Sequence, residues 1–235
     1  MDEKKRKLLL IVGGGILAVL LVFLLLTLTA GSSPKHPVSI TSGSALEKWF
    51  GEEKSRISSK NADKTYYFKL SSNIRMSSPA YIREGYNVVL DLNGHTISNK
   101  NNVYTQIFLV SGGASLTLKD GEITTTGADA DGGLISVREA ASNLKLVDMV
   151  LTNTDDSVVK ETSMGGVLCV SSPADGEPAT VIISGNTVIN GSPSGMRRNG
   201  GAIAAKGNSE IRMYGGTIQN GQANAWPFCF TDIFF

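Results

Sequence analysis

From Thr65 onward, the chain consists of short runs in which apolar and polar residues alternate, separated by glycine, asparagine, aspartate and serine. Five segments share one template: an apolar residue, a second apolar residue two positions later, and a third five positions after the second. The five triplets are Leu90-Leu92-Ile97, Leu116-Leu118-Ile123, Leu144-Leu146-Leu151, Val181-Ile183-Val188 and Ile211-Met213-Ile218. Alternation with a period of two predicts strands with one buried face.

A second apolar strand precedes four of these segments, at 107–110, 134–137, 167–170 and 202–205, and Gly-Gly introduces the last three. Alternation places two rows of apolar residues on one face of these strands. The first row is Phe108, Ile135, Leu168 and Ile203, and the second is Val110, Val137, Val170 and Ala205. The same register gives Cys169 the neighbours Leu109, Ser136 and Ala204, which favours a small strand residue over a nucleophile.

Turn-forming residues stand two positions after the middle apolar residue of each triplet, where a strand corner needs them. They are Gly94, Asp120, Asp148, Gly185 and Gly215. Two positions after the last apolar residue come Asn99, Thr125, Asn153, Asn190 and Asn220. We expect these five to lie at equivalent corners and form a ladder in which the amides satisfy one another.

This internal register favours stacked repeats over a β-sandwich, because a sandwich does not require it. The middle apolar residues fall at 92, 118, 146, 183 and 213, so the repeats span 26 to 37 residues. One repeat cannot bury its own apolar face, whereas repeats stacked at about 4.8 Å share a continuous core. We therefore predict an all-β fold, a right-handed parallel β-helix (solenoid), over 65–225.

A short capping helix is predicted before the first strand, in the region 44–64. Ser44 and Glu47 match a capping box, and a helix over 44–58 would place Leu46, Trp49, Phe50 and Ile57 on one apolar stripe. Such a helix would cover the open end of a stack of repeats. The alternative is a helix that binds a partner.

The tail 226–235 departs from the repeat pattern, since it contains four of the eight phenylalanines and lacks glycine. One interpretation is a truncated end of a longer repeat array. The alternative is a cap, in which Phe228 and Phe230 cover the last apolar face. Cys229 in this tail is predicted to lie about two repeats from Cys169, too far for a disulfide.

The first thirty residues predict an N-terminal transmembrane helix. Residues 8–30 are apolar and uncharged, long enough to span a bilayer, and a basic cluster at 4–7 precedes them. That cluster favours a cytoplasmic N-terminus and an exported remainder. We predict a single-pass protein of the cell membrane with the β-helix outside and 31–43 as a linker. The alternative is secretion after cleavage of a signal peptide.

Composition limits the classes of partner and of binding site that the chain can have. The net charge is +1, and four of the 22 basic residues lie in the cluster at 4–7, so no basic stripe for nucleic acid remains. Two cysteines cannot form a disulfide framework or a cysteine-rich zinc site. With two histidines, His95 lacks partners for a metal centre or a triad.

The segments Leu90-Asp-Leu-Asn-Gly-His-Thr-Ile97, Lys-Asp-Gly-Glu-Ile at 119–123 and Gly-Gly-Ala-Ile at 200–203 resemble the pectate-lyase-like right-handed parallel β-helix superfamily. Within it they are most similar to bacterial surface and adhesin-like proteins with GGAI-type repeats. The resemblance covers about 65–220. It implies the fold, and it leaves activity open because the superfamily includes lyases, hydrolases and non-catalytic adhesins.

Candidate chemistry concentrates in the loops after the ladder positions, which we expect on one side of the stack. As low-specificity ligand-binding candidates these loops offer Asp129, Asp131, Asp155, Asp156, Arg197 and Arg198. Asp129 and Asp131 could contribute to a Ca²⁺ site if the next repeat added ligands, and the alternative is a solvated turn. We predict no other cofactor, no resident metal and no catalytic residue. The segment 153–156 resembles a polygalacturonase motif, but the further motifs of that family are missing.

Three functions are compatible with this sequence. The first is a membrane-anchored, extracytoplasmic, non-catalytic surface protein that contacts a polysaccharide or another cell-surface ligand. The second is a polysaccharide lyase or glycoside hydrolase of the β-helix type, which needs basic and acidic residues in one groove. The third is a truncated or passive stalk. A charged or aromatic groove built by adjacent repeats would discriminate among them.

Overall fold

The computed structural model describes residues 32–52, 64–83, 85–99, 106–125, 133–154, 166–191, 197–199, 201–220, 223–226 and 233–234. Within these ranges the chain is all-β with one short helix, and the pairs between its strands are parallel. The predicted fold class is confirmed at this level, and the arrangement is compatible with a β-helix.

The helix α1 (Gly43–Phe50) lies between the first two of nineteen strands in the described part of the chain. The strands are β1 (Val38–Ile40), β2 (Thr65–Leu70), β3 (Ile74–Met76), β4 (Ala80–Ile82), β5 (Asn87–Asp91), β6 (Thr96–Asn99), β7 (Phe108–Val110), β8 (Ser115–Thr125), β9 (Ile135–Arg138), β10 (Asn143–Asn153), β11 (Leu168–Ser172), β12 (Ala179–Ser184), β13 (Val188–Asn190), β14 (Arg197–Asn199), β15 (Ile203–Gly207), β16 (Ser209–Met213), β17 (Thr217–Gln219), β18 (Ala223–Trp226) and β19 (Ile233–Phe234).

Strands pair with their equivalents one repeat away. The larger sheet runs β1-β2-β5-β8-β10-β12-β16-β19. Strands β6 and β13 pair with the second halves of β8 and β10, and β3 and β17 pair in turn with β6 and β13. A separate sheet of five strands runs β15-β11-β9-β7-β4. Its register confirms the predicted apolar rows and the neighbours of Cys169, which is buried.

The core is a column of apolar side chains contributed by successive repeats. In the larger sheet, Leu146 lies between Leu118 and Ile183 and is fully buried. The preceding residue Lys145 faces solvent and is exposed. This alternation of buried and exposed positions confirms the strand register predicted for the central repeats.

The register predicted for the first triplet is wrong by two residues. Leu90, rather than Leu92, pairs with Leu118, while Ile97 still pairs with Ile123. This corner therefore contains two additional residues, and Leu92 turns inward there and is buried. Gly121 in the next repeat leaves room for it, because a Cβ on Gly121 would overlap the Leu92 side chain.

The repeats also begin earlier than the triplets indicated. Phe68 pairs with Leu90, and Val38 pairs with Phe68. The prediction of a linker over 31–43 is therefore wrong for β1. Its strand was overlooked because three residues are too few to show alternation.

The predicted alignment of the ladder positions holds only in part: Asn153 pairs with Thr125, but the next repeat departs from the pattern. Leu151 pairs with Ile189, so Asn190 lies beside Thr152 and not beside Asn153. The Asn153 amide instead donates to the backbone carbonyl of Gly166 at 2.6 Å, and Asn190 donates to Thr152 Oγ1 at 3.2 Å. The displacement follows from one extra residue in the turn before β13, which makes Ile189 the inward residue in place of Val188.

Four of the five predicted turn residues have a left-handed backbone, with φ of 77° at Gly94, 57° at Asp120, 52° at Asp148 and 65° at Gly185. Aspartate tolerates this region because its short carboxylate can bond locally. Asp148 Oδ1 accepts from the backbone amide of Asn186 at 2.8 Å in the next repeat. Gly215 is the exception, since the positive φ falls on Gly216.

Ser42 is the N-cap of helix α1, in place of Ser44 in the predicted capping box. The Ser42 hydroxyl accepts from the amide of Ala45, while Glu47 accepts from the amides of Ser77 and Ser78 outside the helix. The helix ends at Phe50, eight residues before the predicted end at 58, and an extended Gly51 follows. The pairing of Ser44 with Glu47 is therefore wrong.

The packing of α1 matches the role predicted for a cap. Leu46 and Phe50 are buried, and α1 packs against β1, β3 and β4. The rings of Trp49 and Phe50 each lie 5.2 Å from the ring of Phe68, edge to face. Ile57, the fourth residue of the predicted stripe, lies outside the described residues.

Removing the helix cap tests this assignment. Ser42→Ala should lower the free energy of unfolding by about 1 kcal/mol, because it removes the acceptor for the Ala45 amide. Ser44→Ala, the matched control, should change stability by less than about 0.5 kcal/mol. Urea unfolding of the full chain measures both, and a larger loss for Ser44→Ala would restore the capping box predicted from sequence.

The predicted membrane span at 8–30 lies outside the described residues, as does most of the tail. Within the part of the chain that the structure describes, no helix is long and apolar enough to cross a bilayer. In the tail, Ile233 of β19 pairs with Ile211 of β16. Phe228 and Phe230, on which the cap alternative rests, lie outside the described residues.

Candidate functional site: a groove on the five-stranded sheet

The ligand-binding loops predicted from sequence are not tested by the structure. Asp129, Asp131, Asp155 and Asp156 lie outside the described residues, and with them the proposed Ca²⁺ loop. Arg197 and Arg198 belong to β14, where Arg197 pairs with Ala223 of β18. Among the described residues, no three His, Cys, Asp or Glu side chains converge as a metal site.

A groove with a volume of about 620 Å³ lies where β9, β11 and β15 end. Its polar lining comprises Arg138, Glu139, Ser171, Ser172 and Lys206, and its floor includes Cys169 and Gly207. The position follows from the parallel pairing, which brings the carboxyl ends of equivalent strands to one edge. Side chains from three successive repeats therefore meet in one place.

The groove contains part of a regular row of polar residues. Arg138 pairs with Ser171, and Ser171 pairs with Lys206. The pairing of Ile82 with Val110 and of Val110 with Val137 places Arg83 and Ser111 at the preceding positions of the same row. We call these residues the basic row: Arg83, Ser111, Arg138, Ser171 and Lys206.

Alternation turns the basic row outward. Val137, Val170 and Ala205 precede its last three members and are buried in the core. The next residue in each strand points to the opposite face. Arg138 and Ser171 are half-buried and Lys206 is exposed, so a ligand at the surface can reach all three.

Arg138 is held in a defined position. Its Nε donates to Ser136 Oγ at 2.8 Å, and Ser136 is fully buried. Neither Arg138 nor Lys206 forms an ion pair with another described residue. Among the described residues, the terminal nitrogens of this guanidinium have no hydrogen-bond partner, and their planar arrangement suits a carboxylate or sulfate.

The carboxylate of Glu139, which also lines the groove, is engaged by a neighbouring turn. Glu139 Oε2 accepts from the backbone amide of Gly112 at 2.8 Å. The backbone of Glu139 is left-handed, with a φ of 72°. This carboxylate therefore stabilises the turn at Gly112 and partly offsets the positive charge of the groove.

Arg83 extends the row beyond the groove, and more of its hydrogen-bonding capacity is already engaged than that of Arg138. Its Nη2 donates to the carbonyls of Gly51 and Glu52, and the guanidinium lies 5.8 Å from the centre of the Tyr81 ring. Burial raises the pKa of Tyr81, and Glu52 raises it further, whereas the positive charge of Arg83 opposes the rise. The carboxylate of Glu52 therefore moderates the positive charge at this end.

A buried hydroxyl adds to the groove. Ser172 lines it, and its Oγ is buried without a hydrogen-bond partner in the part of the chain that the structure describes. Beside it, Gly207 lies so close that a Cβ there would overlap the Ser172 carbonyl oxygen. An unsatisfied buried hydroxyl costs about 1–3 kcal/mol.

Two cations on the outer face of the larger sheet are paired instead. Lys119 contacts Asp91 at 2.7 Å and Asp120 at 3.1 Å, and the hydrogen bond to Asp91 is the main cause that raises the pKa of Lys119. Arg212 contacts Glu210 at 2.6 Å. Arg138 and Lys206 in the groove differ from Lys119 and Arg212, because they have no ionic partner among the described residues.

Comparisons of the chain with protein-family models, with curated proteins and with solved structures gave no match.

Sequence reasoning missed the basic row, although a signal was present. Arg83, Arg138 and Lys206 each directly follow the last inward residue of a strand of the five-stranded sheet. The predicted rows lay on the inner face of the strands, and the predicted sites lay in loops. His95, in contrast, lies half-buried at its predicted corner.

Proposed function

We propose that this chain is a right-handed parallel β-helix of the pectate-lyase-like type that contacts glycans at its surface without catalysis. The observation that carries the proposal is the groove, where stacked repeats align Arg138, Ser171 and Lys206. Hydroxyl and cationic donors on a rigid sheet match the oxygen-rich surface of a polysaccharide. The aligned repeats also support the β-helix, because each repeat contributes one equivalent residue.

The non-catalytic form of the proposal rests on the acids in the groove. Hydrolysis of a glycosidic bond generally uses two carboxyl groups, one on each side of the bond. Glu139 is the carboxylate among the described residues that line the groove, and it is bonded to Gly112. This arrangement favours contact over hydrolysis.

The proposed location is the outer side of the cell membrane, with residues 8–30 as the anchor. The apolar run and the basic cluster before it support this placement. An amine label that cannot cross membranes should modify the chain on intact cells. Labelling only after lysis would exclude the location.

Charge reversal in the groove tests the glycan contact. The double variant Arg138→Glu, Lys206→Glu should weaken binding to immobilised glycans by about tenfold or more. It replaces two cationic hydrogen-bond donors with carboxylates, which cannot donate to glycan oxygens and repel acidic groups. Lys145→Glu is the matched control, since it reverses an exposed charge on the larger sheet. Both proteins should retain cooperative unfolding.

Glycan arrays probed with the full chain provide the measurement. Equal loss of binding in the control variant would show a nonspecific effect of net charge. Absence of binding by the unaltered chain to every glycan would reject the proposed function itself.

A further inference from the structure

The cations of the basic row occur at every second repeat. Arg83, Arg138 and Lys206 alternate with Ser111 and Ser171 along the direction in which the repeats stack. Adjacent parallel strands lie about 4.8 Å apart, so the row presents one positive charge about every 10 Å, with a hydroxyl midway.

We propose that the basic row binds a linear acidic glycan in which charged and neutral sugars alternate, lying across the strands along the row. This inference rests on the proposed glycan contact and adds the charge pattern and the direction of the ligand. A disaccharide with one carboxylate or sulfate has a repeat of the same size as two stacked strands. One sugar unit then corresponds to one repeat of the protein.

The polar chemistry distinguishes the two kinds of position. Arg138, fixed by Ser136, can bind a carboxylate with two parallel hydrogen bonds. Ser171 has a hydroxyl that can donate to or accept from a neutral sugar. Lys206, one repeat further, offers the next cation.

A glycan with a charge on every sugar fits less well. It would place anions beside Ser111 and Ser171, which have no positive charge, and the anion at Ser111 would lie near the Glu139 carboxylate, which is bonded to the amide of Gly112. Ions of like sign repel, and a partly buried carboxylate without a counter-ion loses hydration. Glu52 adds a further negative charge at the Arg83 end. The row therefore selects by the spacing of charges.

The test compares three probes of equal length with the full chain: hyaluronan oligosaccharides, in which uronate alternates with a neutral sugar, oligogalacturonate, charged on every sugar, and neutral cello-oligosaccharides. We expect hyaluronan to bind about tenfold more tightly than oligogalacturonate, with an affinity that falls as salt increases. Ser171→Lys should reverse the preference towards oligogalacturonate, while Ser171→Ala, the matched control, should not.

The outcomes separate this inference from the proposed function. If the neutral probe binds as tightly as hyaluronan, or if oligogalacturonate binds at least as tightly, the alternating charge pattern is overturned while glycan contact stands. If Ser171→Lys and Ser171→Ala alter preference equally, the row does not set selectivity. Failure of all probes and of a broad glycan array would overturn both proposals.

Discussion

Leu146→Asp should abolish the cooperative unfolding transition of the described domain. Leu146 is fully buried between Leu118 and Ile183, so an aspartate there would place a carboxylate in the shared apolar column without a partner. Isolated buried charge costs several kcal/mol even after relaxation. Since natural domains are stable by only about 5–15 kcal/mol, this loss is comparable with the whole free energy of unfolding.

Lys145→Asp is the matched control for this change, because it introduces the same side chain one residue earlier on the exposed face. It should alter the free energy of unfolding by less than about 1 kcal/mol. Circular dichroism during thermal unfolding of the two full-length variants provides the measurement. Similar melting temperatures would reject the strand register of β10.

Gly121→Ala should be the second most damaging change, costing about 3 kcal/mol. A Cβ at Gly121 would lie 2.6 Å from the backbone carbonyl oxygen of His95 and would overlap the Leu92 side chain. Both obstacles belong to the corner of the preceding repeat, which contains two additional residues and where Leu92 turns inward. Backbone cannot move aside there without displacing β6, so the strain reaches the neighbouring strand.

Gly113→Ala gives the comparison, because its obstacle is conformational and not spatial. Gly113 has a φ of 72° but no atom within 4 Å of a Cβ built there. A left-handed alanine costs about 1 kcal/mol. Chemical denaturation should therefore place Gly121→Ala below Gly113→Ala in stability. The reverse order would show that repeats at this corner can separate to accommodate a methyl group.

The sequence predicted the five-stranded sheet well because its strands are short and uniform. Gly-Gly precedes three of the strands, and each strand has two inward apolar residues separated by one outward residue. A shift by one position would turn every apolar side chain outward. Only β4 was missed, since its single tyrosine and two apolar residues resemble a loop as much as a strand.

The larger sheet was harder because an apolar residue can also occupy a corner. Leu90 and Leu92 both fit the template, and spacing alone cannot tell which of them pairs with Leu118 in the next repeat. Likewise, Val188 and Ile189 are adjacent, and the extra residue in the preceding turn decides between them. Turns of variable length shift the register without leaving a clear mark in the pattern.

The groove could not be found before the repeats were aligned in space. Arg138 and Lys206 are 68 positions apart in the chain and become near neighbours only through β11. Each looks like an ordinary surface charge in its own segment. The loops were predicted as sites instead because their charges are close in sequence, and four of their six candidate residues lie outside the described residues.

The pairing of each strand with strands one repeat away also bears on how the chain acquires its structure. Paired residues lie 22 positions apart at Phe68 and Leu90 and 37 apart at Leu146 and Ile183, and the separation does not grow steadily from one end of the stack to the other. Folding can therefore advance repeat by repeat, with each finished repeat acting as the template for the next. A chain that emerges gradually, during synthesis or passage through a membrane, could build on the α1 end while later residues are still to arrive.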